Sequence, residues 1–141
     1  MKVRDFLQKI KILAHPDLTD EILIVKPEAN LDQAIKDLAG GTNLMAVYAL
    51  VDKKPVGLIV KDDVITRVMI PGKDPTKMQV KDIMTTNLDV IPGDMDFDEM
   101  LKDFFKKQFL SKPVVDENGE LKGILTVFDV AQHLHQLYEM M

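Results

Sequence analysis

GLIVKDDV at 57–64 and GILTVFDV at 123–130 match Gly with Gly, Asp with Asp and Val with Val across an offset of 66 positions. Each reads as a short buried strand running directly into a helix. The same offset sets LDQAIKDLA, from Leu31, on FDEMLKDFF, from Phe97, so that Asp32, Lys36 and Asp37 meet Asp98, Lys102 and Asp103. Apolar residues fall at 31, 34, 35, 38 and 39, and again at 97, 100, 101, 104 and 105. This is one helical face written twice. Between these anchors the register slips by two and recovers. The first copy carries extra turn residues at Gly40 and Gly41, and the second has the longer turn ENGE at 117–120. Length changes confined to turns are what a duplicated fold tolerates.

Both copies have the same order. A strand at 22–25 or 88–91 leads through a turn holding Pro27, or Pro92 and Gly93, into the shared helix. Two hairpin strands follow, at 44–51 and 56–60 or at 112–115 and 121–126, and a second helix starts near Lys61 or Val127. The expected fold class is α+β, two β-α-β-β-α repeats at 20–79 and 80–141. An additional N-terminal helix is predicted within 1–19, with Val3, Phe6, Leu7, Ile10, Leu13 and Ala14 on one face, stopping before Pro16.

A chain of 141 residues, 46% hydrophobic and 29% charged, is long and apolar enough to bury one domain core. Eighteen basic and 23 acidic residues are interspersed for a net charge of −5, which gives no electrostatic footprint for nucleic acid or an anionic membrane. No apolar run reaches the roughly 20 residues that span a bilayer, and MKVRDFLQKIKIL is not a signal-peptide core. A cytoplasmic location is expected. The absence of cysteine removes disulfides, thiolate nucleophiles and thiolate metal sites.

Most other candidate chemistry fails on spacing. DMDFD at 94–98 begins like a calcium loop but has Glu99 at the sixth position and Phe105 at the twelfth, so these acids are expected to decorate a helix start. Gly40, Gly41 and Thr42 lack the ending of a phosphate-binding loop. His133 and His135 are two apart on a predicted helix and make a poor metal pair. No Ser or Thr has a partnered base, so no enzyme activity is expected. Thr126 and Asp129 have two compatible readings. Their spacing is that of a capping box, in which a hydroxyl and a carboxylate close the helix start. The same groups, at the open end of a strand, offer a carboxylate that accepts from a ribose diol. Asp63 has the same place in the first copy, where Val60 replaces the threonine. Arg67 and Lys73 follow Asp63 as candidate phosphate cations, with a solvated helix end and turn as the plainer reading.

VKDIMTTNLDVIP at 80–92 and LSKPVVDENGELKGILTVFDV at 110–130 resemble the opening, hairpin and closing motif of a CBS domain, the module named after cystathionine β-synthase. DVITRVMIPGKDPTKMQVKDIM at 63–84 is similar to the bridge between two such domains. The resemblance spans about 20–138 and is weaker in the first copy, where Ala49-Leu50-Val51-Asp52 takes the place of Pro-Val-Val-Asp. It implies a stand-alone pair whose sheets pack about a pseudo-twofold axis, leaving clefts that in this family take AMP, ADP, ATP or S-adenosylmethionine. It also implies main-chain base contacts near Thr86, Leu88, Pro113 and Val114, a regulated target that is a separate protein, and a homodimer. The dimer is expected on apolar grounds too, since Leu137, Tyr138, Met140 and Met141 need cover. No cofactor is implied beyond the adenosine-containing ligand. The alternative function is a scaffold that dimerises with both clefts empty.

Overall fold

The computed structural model describes residues 1–6, 12–13, 22–40, 46–108 and 110–141. The first repeat runs β2 (Ile22–Val25), α2 (Leu31–Gly40), β3 (Val47–Val51), β4 (Lys54–Ile59) and α3 (Lys61–Val64), which passes into a π-helical turn, Ile65–Met69. The second runs β5 (Ile91–Pro92), α4 (Phe97–Lys107), β6 (Ser111–Val115), β7 (Leu121–Thr126) and α5 (Val127–Glu139). Both follow the β-α-β-β-α order, with a parallel pair leading into an antiparallel hairpin.

Alternation along the strands sends side chains to two places. Val47 and Ala49 join Leu31, Ala34 and Leu38 of α2 in the first core, and Val114 and Leu125 join Phe97, Met100 and Phe104 of α4 in the second. These helix residues are the buried members of the repeated face, at about 1.5–3 kcal/mol for each large side chain removed from water. The intervening residues, Tyr48 on one sheet and Leu121 and Ile124 on the other, form a third core between the repeats. The bridge straps back across the first repeat: Val80 N–H donates to Ala29 C=O, Lys81 N–H to Pro27 C=O, and Val80 and Ile83 enter the first core. Gly57 leaves room for the Met84 side chain lying over it, which a Cβ would force to shift.

Three expectations need correction. The N-terminal helix, α1, covers only Val3–Phe6, and Leu13 belongs to β1 (Ile12–Leu13), which pairs in parallel with β2; Leu7, Ile10 and Ala14 lie outside the described residues. A short helical period loses here to an edge pairing available only in the folded sheet. The strand expected at 88–91 begins at Ile91, because Leu88 N–H is turned onto Thr86 C=O and pairing starts only where Ile91 meets Val114. The hairpin alignment is also off by one. Gly57 pairs with Ala49 and Gly123 with Val114, so Tyr48, not Ala49, occupies the place of Pro113. The span from Ala49 to Gly57 is one residue shorter than that from Val114 to Gly123, which produces the shift, since the register irregularity after Ala49 has its counterpart after Val114.

Helix α1 joins the second repeat, far from it in sequence. Val3 N–H donates to Met95 C=O, Phe97 N–H to Met1 C=O, and Val3 and Phe6 are buried in the second core.

Candidate functional site

β7 ends at Thr126, which caps α5 in extended conformation. Its hydroxyl accepts from Asp129 N–H (3.2 Å) and donates to Asp129 Oδ2 (2.8 Å), while Asp129 Oδ2 also accepts from Thr126 N–H (3.1 Å). The capping box expected from sequence is complete. A hydroxyl has one proton and two lone pairs, so Thr126 has its donor committed and one acceptor position left. Asp129 is half-buried, and its Oδ1 has no hydrogen-bond partner among the described residues.

The first repeat builds the equivalent corner differently. Val60 offers no side-chain acceptor, so only half a box exists: Val60 N–H donates to Asp63 Oδ2 at 2.9 Å. Thr85 of the bridge donates to Asp63 Oδ1 at 3.4 Å, and Arg67 Nε lies 3.8 Å from the same oxygen. Asp63 is 8% exposed. Arg67 also donates from Nη1 to Ile83 C=O at 2.7 Å, so the structure brings Arg67 to Asp63 and to the bridge. Lys73 is exposed in the following turn, where its N–H donates to Val68 C=O.

The remaining candidates divide by face. Pro113 pairs with Ile124 and is fully buried on the inter-sheet side, which by strand alternation it shares with the half-buried Ser111, paired to Thr126. Val114 points the other way, into the second core, leaving only its main chain for a ligand. Thr86 is exposed and Leu88 half-buried on the segment crossing between repeats. That segment is pinned by Asp89, whose carboxylate takes a hydrogen bond from Lys112 Nζ. This bond, with help from Lys107, holds the Asp89 carboxyl below its ordinary range against the opposing effect of burial. Lys112 and Lys107 were not singled out in the sequence. A lysine directly before a buried Pro-Val-Val run was the available signal.

Asp96 caps α4, accepting from Glu99 N–H, as the acids at 94–98 were expected to do. His133 stacks edge-on against Phe6 and Phe97, and no cluster of metal-ligating side chains occurs among the described residues. A cavity of about 430 Å³ opens at the opposite end of the second sheet, between Arg4, Pro92, Gly93, Asp116 and Lys122. It contains none of the ligand-binding residues expected from sequence, and its walls mix both charges, so volume alone does not make it the stronger candidate.

With this geometry in place, the second repeat can be set beside known proteins. Residues 80–136 match the family described as CBS domain. The second repeat carries the CBS-domain pattern over nearly its whole length. An uncharacterized protein of Methanopyrus kandleri is 34% identical over 79 residues, covering 56% of this chain and 40% of that protein. The chain spans 40% or less of the length of the first curated relatives that it matches. Among solved structures, a hypothetical conserved protein from Geobacillus kaustophilus superposes with a TM-score of 0.75 at 20% identity, covering 97% of this chain and 98% of that one. CBSX2 in complex with AMP superposes at 0.72 with 22% identity, covering 97% and 98%. These likenesses extend the CBS-pair fold over both repeats. No described helix is long and apolar enough to cross a membrane.

Proposed function

We propose that this CBS pair is a regulatory module that senses an adenosine-containing ligand at the Thr126–Asp129 end of the second repeat. The observation carrying the reading is the spare oxygen of Asp129. The carboxylate is oriented by Thr126, its Oδ2 is engaged, and Oδ1 is left to accept from a ribose diol beside the strand end. In the first repeat the corresponding carboxylate is buried and surrounded by protein donors. The likeness to an AMP-bound CBS protein supports adenosine as the ligand class. The main chain of Pro113 and Val114 and of Thr86 and Leu88 would meet the base, and Arg67 and Lys73 are the cations proposed for phosphates. Binding would act on a separate target protein in the cytoplasm, with no catalytic step.

Occupancy would be passed on through a homodimer. Met69 and Ile70 beside α3, and Phe128, Leu137 and Tyr138 on α5, are exposed apolar side chains at corresponding places in the two repeats. The same surface supports a scaffold that dimerises with empty clefts. A thermal-shift panel of AMP, ADP, ATP and S-adenosylmethionine, with guanosine and cytidine counterparts as controls, separates the readings. A ligand at 100 times its Kd that binds only the folded state adds about 2.7 kcal/mol. Absence of any shift, confirmed by calorimetry, leaves the scaffold.

A further inference from the structure

Tyr48 lies on the central strand β3 of the first repeat, 1% exposed, and its hydroxyl has no hydrogen-bond partner among the described residues. A buried hydroxyl without a partner is unfavourable, and native interiors rarely keep one without a reason. The ring packs in the inter-sheet core against the face of the second sheet that carries Ile124. By strand alternation that face also carries Pro113, Ser111 and Thr126, with Ser111 directly paired to Thr126. The phenol is close enough to Ser111 to feel its hydroxyl, although no bond of acceptable geometry joins them. Burial, the larger effect, pushes the phenol up to about 12 and keeps it a proton donor throughout the physiological range.

The arrangement exists on one side only. Strand register makes Tyr48 the counterpart of Pro113, and Ala46 the counterpart of Ser111. The related pair, Pro113 and Ala46, is apolar. A polar pair placed on one side of an otherwise apolar interface lies beside the only corner with a complete capping box and an unengaged carboxylate oxygen among the described residues.

We propose that Tyr48 of the first repeat is a positioning residue for the ligand site of the second, its buried hydroxyl donating to Ser111 when ligand is bound and turning the Ser111 proton toward the ligand. Ser111, half-buried, is the contacting member, and Tyr48 acts through it. The proposal rests on the adenosine-site reading above and adds a cross-repeat requirement: an occupied second site draws on a side chain from the first repeat, so binding would couple the two sheets.

The test is a double-mutant cycle on the intact chain, titrated calorimetrically with whichever of AMP, ADP or ATP binds the wild type most tightly. Tyr48→Phe keeps the ring and removes the unpartnered hydroxyl, so the ligand-free variant should melt at or above the wild-type Tm. Its affinity should fall about 3- to 10-fold, the size of one neutral hydrogen bond. Ser111→Ala should weaken binding similarly, and the double variant should be no weaker than Ser111→Ala alone. Wild-type affinity in Tyr48→Phe overturns the inference while leaving the adenosine site standing. Additive losses, or a lowered Tm in ligand-free Tyr48→Phe, also overturn it by making Tyr48 merely structural. If no adenosine nucleotide binds the wild type, both the site reading and this inference fall.

Discussion

The two repeats close their last strand onto a helix with the same Gly-x-x-x-x-x-Asp spacing, yet the two carboxylates live in different surroundings. Asp129 is held by its own capping threonine and has one oxygen without a hydrogen-bond partner among the described residues. Asp63 has no such threonine, and the bridge supplies what Val60 lacks: Thr85 donates its hydroxyl, Arg67 adds a cation, and the group is buried. One substitution at the cap thus separates two uses of one motif. With the hydroxyl present, the corner is locally complete and keeps one carboxylate oxygen unengaged among the described residues. Without it, the acid has become a fastening point for the segment joining the repeats.

That contrast predicts its largest effect in stability. Asp63→Ala would leave Val60 N–H, Thr85 and Arg67 without their shared acceptor, a loss of about 3 kcal/mol, against about 1 kcal/mol for Asp129→Ala at an ordinary capping site. Urea denaturation measures both, and equal losses would erase the distinction between fastening and capping. Binding should show the reverse order. Asp129→Asn is expected to weaken the adenosine ligand by roughly 5- to 150-fold at a stability change within about 1 kcal/mol, with Asp63→Asn affecting affinity far less. Titration calorimetry showing equal losses, or a loss with Asp63→Asn alone, would move the competent site away from GILTVFDV.

A gain is expected from Val60→Thr, which supplies the missing acceptor for the helix start and should stabilise the protein by about 1 kcal/mol or less. No change, or a loss, would mean that the inter-sheet packing of Val60 outweighs the cap.

The smallest effect is the pH dependence of the Asp89–Lys112 pair, which has Val47 in place of the lysine in the first repeat. The Asp89 carboxyl is depressed by the Lys112 hydrogen bond, so its stabilisation is present above the ordinary carboxylate range and lost as pH falls through the lower folded value. Because the Asp89 side chain is 61% exposed, Asp89→Asn should cost under about 1 kcal/mol at pH 7. Denaturation over a pH series should show the full wild-type advantage at pH 7 and its progressive loss as pH falls below the ordinary carboxylate range. A pH-independent gap would remove the ion pair as its cause.

The repeat, the order of elements and the buried faces of α2 and α4 were legible because they rest on local periodicity. The capping box was legible because its partners are three residues apart. Features that depend on a distant surface were not. Leu13 extends a helical period but, with Ile12, pairs with β2, and the displaced hairpin register shows only when both glycines are seen opposite their partners. Nothing in the run AVYALV announces that the phenol will meet Ser111 across two sheets. Nor could spacing say that Arg67 would reach Asp63 and Ile83 at once.

The seat of α1 bears on how the molecule is made. Val3 and Phe6 pack among Phe97, Leu125 and Val130, so residues made before the first repeat complete a core whose other walls are made after it. During synthesis that short apolar segment must wait uncovered while the first repeat forms, and the final contacts span almost the whole chain. Such non-local closure slows folding relative to a chain of similar size with local contacts, and it makes the finished second repeat depend on a segment that lies before the first. Loosening of α1 would accordingly open the core of the second repeat before that of the first, although α1 precedes both in the chain.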